Sequence, residues 1–353
     1  MAAEFGSRTG YFPISEGPRI AVTIKDVAKR TGLSIATISK YLNGGNVLEQ
    51  NREAIAVAIN DLEFRVNEIA RGLKSSRSMT VGVLIPNLEN VFCTSIVANI
   101  ENILQQSGYS TIICDYREDI GLEREKLEFL ANKMVDGFIY MPLGNQEAFV
   151  SSLVARNMPV ILIDRPLAGV ACDTVLVDNL NASYNAVEHL IVLGHRRIGI
   201  IGGPEEIYTA QERLKGFRRV HKDYDIAVDD DLVLEGDYSL KSGYLLMEDF
   251  LKRSLPPTAV FVTNYEMTLG AIMALNESHL SVPDDISIIG FDNLQLAKIV
   301  KPSLSIVVQP IQSIGETAAT LLLKRMKDDQ TGFPAIHRLK TELIIGESVR
   351  SMS

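Results

Sequence analysis

Two periods of apolar spacing divide this chain of 353 residues. From Met79 onward, short β-rich apolar runs occur at Thr80–Ile85, Ser110–Cys114, Gly137–Met141, Val160–Ile163, Thr174–Val177, Ile198–Ile201, Ala259–Thr263 and Ile286–Phe291. Stretches of helical period lie between them, among them Ser95–Gln106, Glu123–Lys133, Ala182–Leu193 and Met267–Asn276. Such alternation predicts βαβ units and a mainly parallel, doubly wound sheet. The number of strands over this length predicts two sheets, and so an α/β body of two lobes. Residues 1–22, rich in Gly, Ser and Pro, show neither period and are expected to form a disordered tail.

Between tail and body the helical period holds alone. Thr23 opens Thr-Ile-Lys-Asp, a capping box in which the Thr hydroxyl and the Asp26 carboxylate can satisfy the free N–H groups of a helix start. Ile24, Val27 and Ala28 share one face. Gly32 tolerates the left-handed conformation that ends a helix, and Ser34 caps a second one from Ile35. A third, about Gln50–Phe64, has Ile55, Ile59 and Leu62 at core spacing. A short helix, a glycine turn and a capped second helix describe a helix-turn-helix, whose second helix enters the DNA major groove. Ile38 and Leu42 then face inward and Ile35, Ala36 and Lys40 outward. Ser34 and Thr37 suit phosphates, which fix register without reading sequence. The same pair also fits a plain helical bundle, so charge has to separate the two readings.

The net charge is −9, and taken whole it would repel a polyanion. By segment the balance is −1 for residues 1–18, +4 for 19–77 and −12 for 78–353. A basic headpiece precedes an acidic body, and Arg71, Lys74 and Arg77 beside the short helical stretch Asn67–Lys74 suit a phosphate backbone. A hydrophobic content of 46% with 22% charged residues excludes a mostly disordered chain. Cys93, Cys114 and Cys172 offer neither a disulfide framework nor zinc spacing, which points to a reducing compartment. With no apolar run near a membrane span of roughly 18 residues and no secretory h-region, a cytoplasmic location and no membrane partner are expected.

The string T-I-K-D-V-A-K-R-T-G-L-S-I-A-T-I-S-K-Y-L-N, followed by N-E-I-A-R-G-L-K, resembles the headpiece and hinge of the LacI/GalR family of bacterial transcription regulators. Similarity continues through V-G-V-L-I-P-N, V-D-G-F-I, L-G-H-R-R-I, R-L-K-G-F, E-G-D-Y, P-T-A-V-F-V-T-N and I-I-G-F-D-N. The resemblance implies a helix-turn-helix headpiece at 23–64, a hinge helix and linker at 65–78, and an effector domain at 79–353 folded like a periplasmic sugar-binding protein. Its N-lobe would take about 79–177 and 310–337, its C-lobe about 178–309 and 338–349. Ile35, Ala36 and Lys40 fall where the family reads bases, with Asn43 after the recognition helix. Asn67 opens the implied hinge, where Ala70 shares a face with Leu73, the wedge that opens a base step in the minor groove. Three positions of the headpiece and hinge depart from the pattern. Lys40 replaces a common Arg and loses bidentate guanine recognition; Leu48 stands where a Ser often caps the third helix; Val66 replaces the usual Pro.

Ligands of open α/β sheets bind beyond the carboxyl ends of the strands. Phe92, Asp164, Arg213, Tyr238, Asn264 and Asp292 occupy such positions. Carboxylates, a guanidinium and an amide suit vicinal hydroxyls, and an aromatic ring suits the apolar face of a sugar. Taken singly, each fits a surface ion pair, a cap or packing equally well; the resemblance implies that Arg213, Asp292 and Tyr238 hold ligand. Tyr265 replaces a usual Asp, and Ile207 replaces a second Arg of a purine-binding member, so a saccharide is expected before a nucleobase.

The expectation is a homodimeric repressor of a pseudo-palindromic DNA operator, controlled by a small effector between the lobes, with no cofactor and no metal. No leucine heptad follows Arg350, which favours a dimer over a tetramer. The alternatives are a catabolite-control regulator answering to a phosphoprotein, and a sugar-binding transport protein, which would have no use for residues 23–77. An enzyme is not expected. No G-x-G-x-x-G follows a strand, neither G-x-x-x-x-G-K-S/T nor G-x-S-x-G occurs, and none of His189, His195, His221, His279 and His337 forms a metal-ligand pair; His195 is expected to be structural.

Overall fold

The structure, a computed structural model, describes residues 22–64, 77–144, 146–292 and 294–352. The chain forms two compact units, 1–76 and 77–353.

The small unit contains α1 (Ile24–Thr31), α2 (Ile35–Leu42) and α3 (Glu49–Asp61) around Val27, Ile38, Ile55 and Ala58. At the start of α1 the Asp26 carboxylate accepts from both the Thr23 backbone N–H, at 2.8 Å, and its hydroxyl, at 2.7 Å. These bonds hold Asp26 below the usual carboxylate range. Gly32 ends the helix at φ +70°. Helix α3 stops three residues before the expected Phe64, because Glu63 turns left-handed and the Phe64 N–H closes back onto the Ile59 carbonyl at 2.9 Å. Leu62 and Phe64 still pack on the core from beyond the helix, so their spacing mimics a longer one.

In the large unit a first sheet takes β1 (Thr80–Ile85), β2 (Ser110–Asp115), β3 (Gly137–Tyr140), β4 (Val160–Ile163), β5 (Asp173–Val177) and, from far along the chain, β11 (Ile336–Leu339). Their order is β11-β5-β4-β3-β1-β2, all parallel. Helices α4 (Val91–Gln106), α5 (Ile120–Asn132), α6 (Glu147–Val154) and α12 (Ile311–Arg325) belong to this lobe. The second sheet takes β6 (Ile198–Gly202), β7 (Val233–Glu235), β8 (Ala259–Val262), β9 (Ser287–Phe291), β10 (Ser305–Val308) and β12 (Glu342–Ile344) in the order β12-β10-β9-β8-β6-β7. Its helices are α7 (Asn179–Val192), α8 (Tyr208–Asp223), α9 (Leu240–Lys252), α10 (Tyr265–Glu277) and α11 (Leu294–Ile299).

The second sheet is not wholly parallel, since β12 runs against β10. The chain leaves the first sheet at the carboxyl end of β11 and crosses with no helix to reverse it. It therefore enters the second sheet at the carboxyl edge and must run backwards. Because β11 extends to Leu339, this crossing falls at residues 340–341 and not after 337. Strands β7, β10, β11 and β12 lie outside the predicted set: β7 and β12 are only three residues long, and β11 and β12 place polar side chains at sheet edges. Helices α4, α5, α7 and α10 begin two to four residues earlier than their apolar period, each at an Asn or Asp cap: Asn90, Asp119, Asp178 and Asn264.

Close packing of α9 on α10 sets the second lobe's cleft edge. A Cβ on Gly270 would lie 2.0 Å from the Leu240 carbonyl oxygen, so only glycine permits this approach.

Candidate effector cleft and nucleic-acid interface

A cavity of about 430 Å³ lies at the carboxyl ends of the strands, walled by both lobes, within the range of small-molecule sites. Phe92, Asp164, Arg213, Tyr238, Asn264 and Asp292 all line it. Three of them, Asp164, Tyr238 and Asp292, have φ between +62° and +67°, a conformation that costs a non-glycine residue on the order of 1 kcal/mol or more and clusters at functional sites. The two aspartates are counterparts: each follows the fourth strand of its lobe, and each N–H continues the ladder, Asp164 to Val175 at 2.9 Å and Asp292 to Val307 at 2.7 Å.

Arg213 is 4% exposed. Its Nε donates to Asn179 Oδ1 at 2.8 Å, its Nη1 to the Thr263 carbonyl at 2.5 Å, and its guanidinium lies 4.0 Å from the Phe291 ring centre. These contacts fix the cation at the cavity wall. Asp292 accepts from Gln309 Nε2 at 2.8 Å. Burial pushes its carboxyl up to about 6, against the opposing pull of Arg213 and the Gln309 bond, with Asp164 adding to the rise. Asp164 pairs with Arg165 at 3.3 Å. Tyr238 has its hydroxyl 3.3 Å from Thr209 Oγ1.

Asn264 plays a different part from the expected hydroxyl-binding amide. Its Oδ1 caps α10 through Met267 N–H, and its Nδ2 donates to the Tyr238 carbonyl and to Glu266 Oε2, each at 3.0 Å. Its polar atoms thus hold Tyr238 and Glu266 in the wall. Glu266 also accepts from Asn90 Nδ2 at 2.9 Å, a hydrogen bond that joins the lobes at the cavity mouth. Burial raises the Glu266 carboxyl above its usual range, with Asp292 adding to the rise.

Gln309, Glu266, Asn90, Thr209 and Arg165 were not singled out in the sequence. Gln309 follows β10, a strand outside the predicted set, and Asn90 caps a helix that begins four residues before its predicted start. A smaller cavity of about 250 Å³ shares Phe92, Tyr265, Asp292 and Gln309 with the first. Ile207 is buried at the start of α8, outside the lining. His195, fully buried, bonds Thr258 Oγ1 at 2.9 Å and the Arg350 carbonyl at 3.1 Å, a structural tie. Among the described residues there is no cluster suited to a metal and no helix long and apolar enough to cross a membrane.

In the small unit, Ile38 is buried while Ile35, Ala36 and Lys40 are exposed along α2. Ser34 caps α2 through Thr37 N–H at 3.1 Å, and the two hydroxyls lie 2.8 Å apart. Asn43, at the other end, donates its amide to the Ser39 carbonyl at 2.8 Å. The Lys40 stem lies on Gly45, where a Cβ would come within 2.6 Å of Lys40 Cγ, so this glycine helps set the direction of the lysine. Leu48, in the capping position of α3, makes no side-chain cap. Asn67, Ala70 and Leu73 lie outside the described residues.

Residues 23–67 match the model of bacterial regulatory proteins of the lacI family, and residues 187–349 that of a periplasmic binding protein-like domain. Catabolite control protein A of Priestia megaterium is 36% identical over 310 residues, covering 87% of this chain and 93% of that protein. The HTH-type transcriptional repressor PurR of Proteus mirabilis (strain HI4320) is 36% identical over 307 residues, covering 86% and 90%. Of solved structures, the lac repressor dimer bound to operator and the anti-inducer ONPF is 27% identical with a TM-score of 0.84, covering 94% of this chain and 99% of that one. The transcriptional regulator CelR in complex with cellobiose is 30% identical with a TM-score of 0.70, covering 93% and 99%. With a helix-turn-helix whose outward residues are exposed and two lobes that wall a shared cavity, the chain belongs to the lacI family of bacterial regulatory proteins.

Proposed function

We propose that the protein is a dimeric, DNA-binding transcriptional repressor whose operator affinity is set by a hydroxyl-rich small molecule in the interlobe cleft. Ile35, Ala36 and Lys40 read bases, Ser34, Thr37 and Asn43 hold the backbone, and the hinge residues Asn67, Ala70 and Leu73 engage the minor groove. Arg213 and Asp292 orient the effector, with Asp164, Tyr238 and Phe92 around it and Asn264 bracing the wall. One observation carries the reading: six residues picked from strand ends, spread from Phe92 to Asp292, line a single cavity. The cellobiose complex of the related regulator supports a saccharide-like ligand. An effector acts by binding one lobe arrangement better than the other, which shifts the DNA-competent population.

In vitro selection from random duplexes should return pseudo-palindromes with half-sites about one helical turn apart. Leu73→Ala should weaken binding to the selected site and leave non-specific affinity nearly unchanged. A pool that stays random, or an equal loss on both DNAs, would remove the reading.

A further inference from the structure

We propose that Asn90 and Glu266 form a clasp that holds the two lobes together without effector and limits how readily the cleft opens. This deepens the cleft reading above and rests on it. Asn90 Nδ2 donates to Glu266 Oε1 at 2.9 Å, and both residues line the cavity. Each is held on its own lobe by a helix cap. Asn90 Oδ1 accepts the Cys93 N–H at 3.0 Å at the start of α4, which turns the amide Nδ2 toward the other lobe. Glu266 Oε2 accepts from Asn264 Nδ2 at 3.0 Å, and Asn264 Oδ1 caps α10 through the Met267 N–H. One carboxylate therefore joins the amino ends of two helices that belong to different lobes.

Sheet order gives this bond its leverage. The chain crosses between the lobes after β5, after β10 and after β11; β11 and β5 take the first two places of one sheet, β12 and β10 those of the other. Asn90 follows β1, three strands from β5, and Glu266 follows β8, two strands from β10. At about 4.8 Å per strand, the clasp lies roughly 10–14 Å from the crossings. A lobe rotation of about 10° would part its atoms by roughly 2 Å, past hydrogen-bond range. Arg338 Nη1 also reaches the other lobe, 3.2 Å from the Tyr208 hydroxyl, but Arg338 stands one residue before the end of β11 and so beside a crossing. Rotation stretches that bond less.

The test uses Cys93 as a reporter, since its thiol is 4% exposed and lines the cavity. Asn90→Asp keeps an oxygen for the Cys93 N–H but sets a second carboxylate against Glu266. In the full chain at pH 8 without effector, N-ethylmaleimide should modify Cys93 about tenfold faster in this variant, the bias that one hydrogen bond to a charged group supplies. The added negative charge works the other way, because it disfavours the thiolate. Combining Asn90→Asp with Glu266→Gln reverses the direction of the bond and should return the rate to near that of the wild type. Peptide mass spectrometry reads Cys93 together with Cys172, a core thiol of the first lobe that should stay unreactive. A Cys93 rate that Asn90→Asp does not raise, a rise shared by Cys172, or no recovery in the double variant overturns the clasp. Operator affinity of the same proteins, measured on the selected duplex, separates the clasp from the wider reading: a faster Cys93 with wild-type operator affinity keeps the clasp and removes lobe control of DNA binding.

Discussion

In the first lobe the late-arriving chain is anchored by charge. Arg325, 3% exposed, grips fully buried Asp173 with Nε at 2.6 Å and Nη2 at 3.1 Å, and Asp173 also accepts the Ala335 N–H that leads into β11. In the second lobe the corresponding edge is held by hydroxyls: Ser305 N–H donates to Ser348 Oγ at 2.8 Å, Ser348 to the Ile288 carbonyl at 2.6 Å, and Gly346 N–H to Ser305 Oγ at 3.0 Å. The contrast recurs at the cleft. Asp164 has a guanidinium beside it, while Asp292, at the matching strand end, accepts from a neutral amide. Two sheets of one strand order thus distribute charge differently. Topology places the carboxylates, and neighbouring side chains decide which of them is left to attract a ligand.

The comparison can be broken at its strongest point first. Arg325→Met keeps the apolar stem but strands a buried carboxylate, and should cost about 3–5 kcal/mol in denaturant unfolding. Adding Asp173→Asn should recover much of that loss; a single-variant cost under about 1 kcal/mol would show that the ion pair does not anchor the lobe. Arg213→Ala should weaken the effector at least about 100-fold, roughly 2.7 kcal/mol, and leave operator affinity without effector unchanged. Calorimetry of variant and wild type with the same ligand decides this, and equal affinities would reject the cleft assignment.

A pH series sharpens the contrast between the two aspartates. The Asp292 carboxyl is raised in the folded state to about 6 from 3.8, so its stabilising contribution is present below about pH 4 and is lost as pH rises through 6. Asp292→Asn should therefore stabilise the ligand-free protein by about 1–2 kcal/mol at pH 8, a gain that shrinks between pH 6 and 4. Asp164→Asn should give no such gain, because it leaves the largely buried Arg165 cation without its carboxylate. Identical pH profiles for the two variants would erase the distinction. The smallest effect is expected at the hydroxyl-held edge, where Ser305→Ala should cost about 1 kcal/mol by the same unfolding assay.

Much of this was legible in the residues because it is local. The capped helix pair rests on Thr23, Gly32 and Ser34, whose roles are set within a few positions. The long apolar strands are recognised by composition alone. Strand β11 was missed because I-H-R-L has no apolar period, and it acquires an identity only by pairing with β5. For the same reason Gln309 was overlooked: it becomes a cleft residue only once β10 has a place in the sheet. Asn264 was picked for its position after a strand, yet its amide is occupied by partners that a linear reading does not pair with it.

By itself, the sequence determined the helix-turn-helix, the alternating body, the opposed charges of the two units and the set of strand ends that line the cleft. Each of these depends on spacing, capping or counting. The tertiary structure alone decided that Asp164 is paired while Asp292 is not, that Glu266 bonds Asn90 across 176 positions, and that Gln309 keeps a buried acceptor without a partner. Burial and neighbouring charge set those properties, and both are supplied by residues brought together only when the two sheets form.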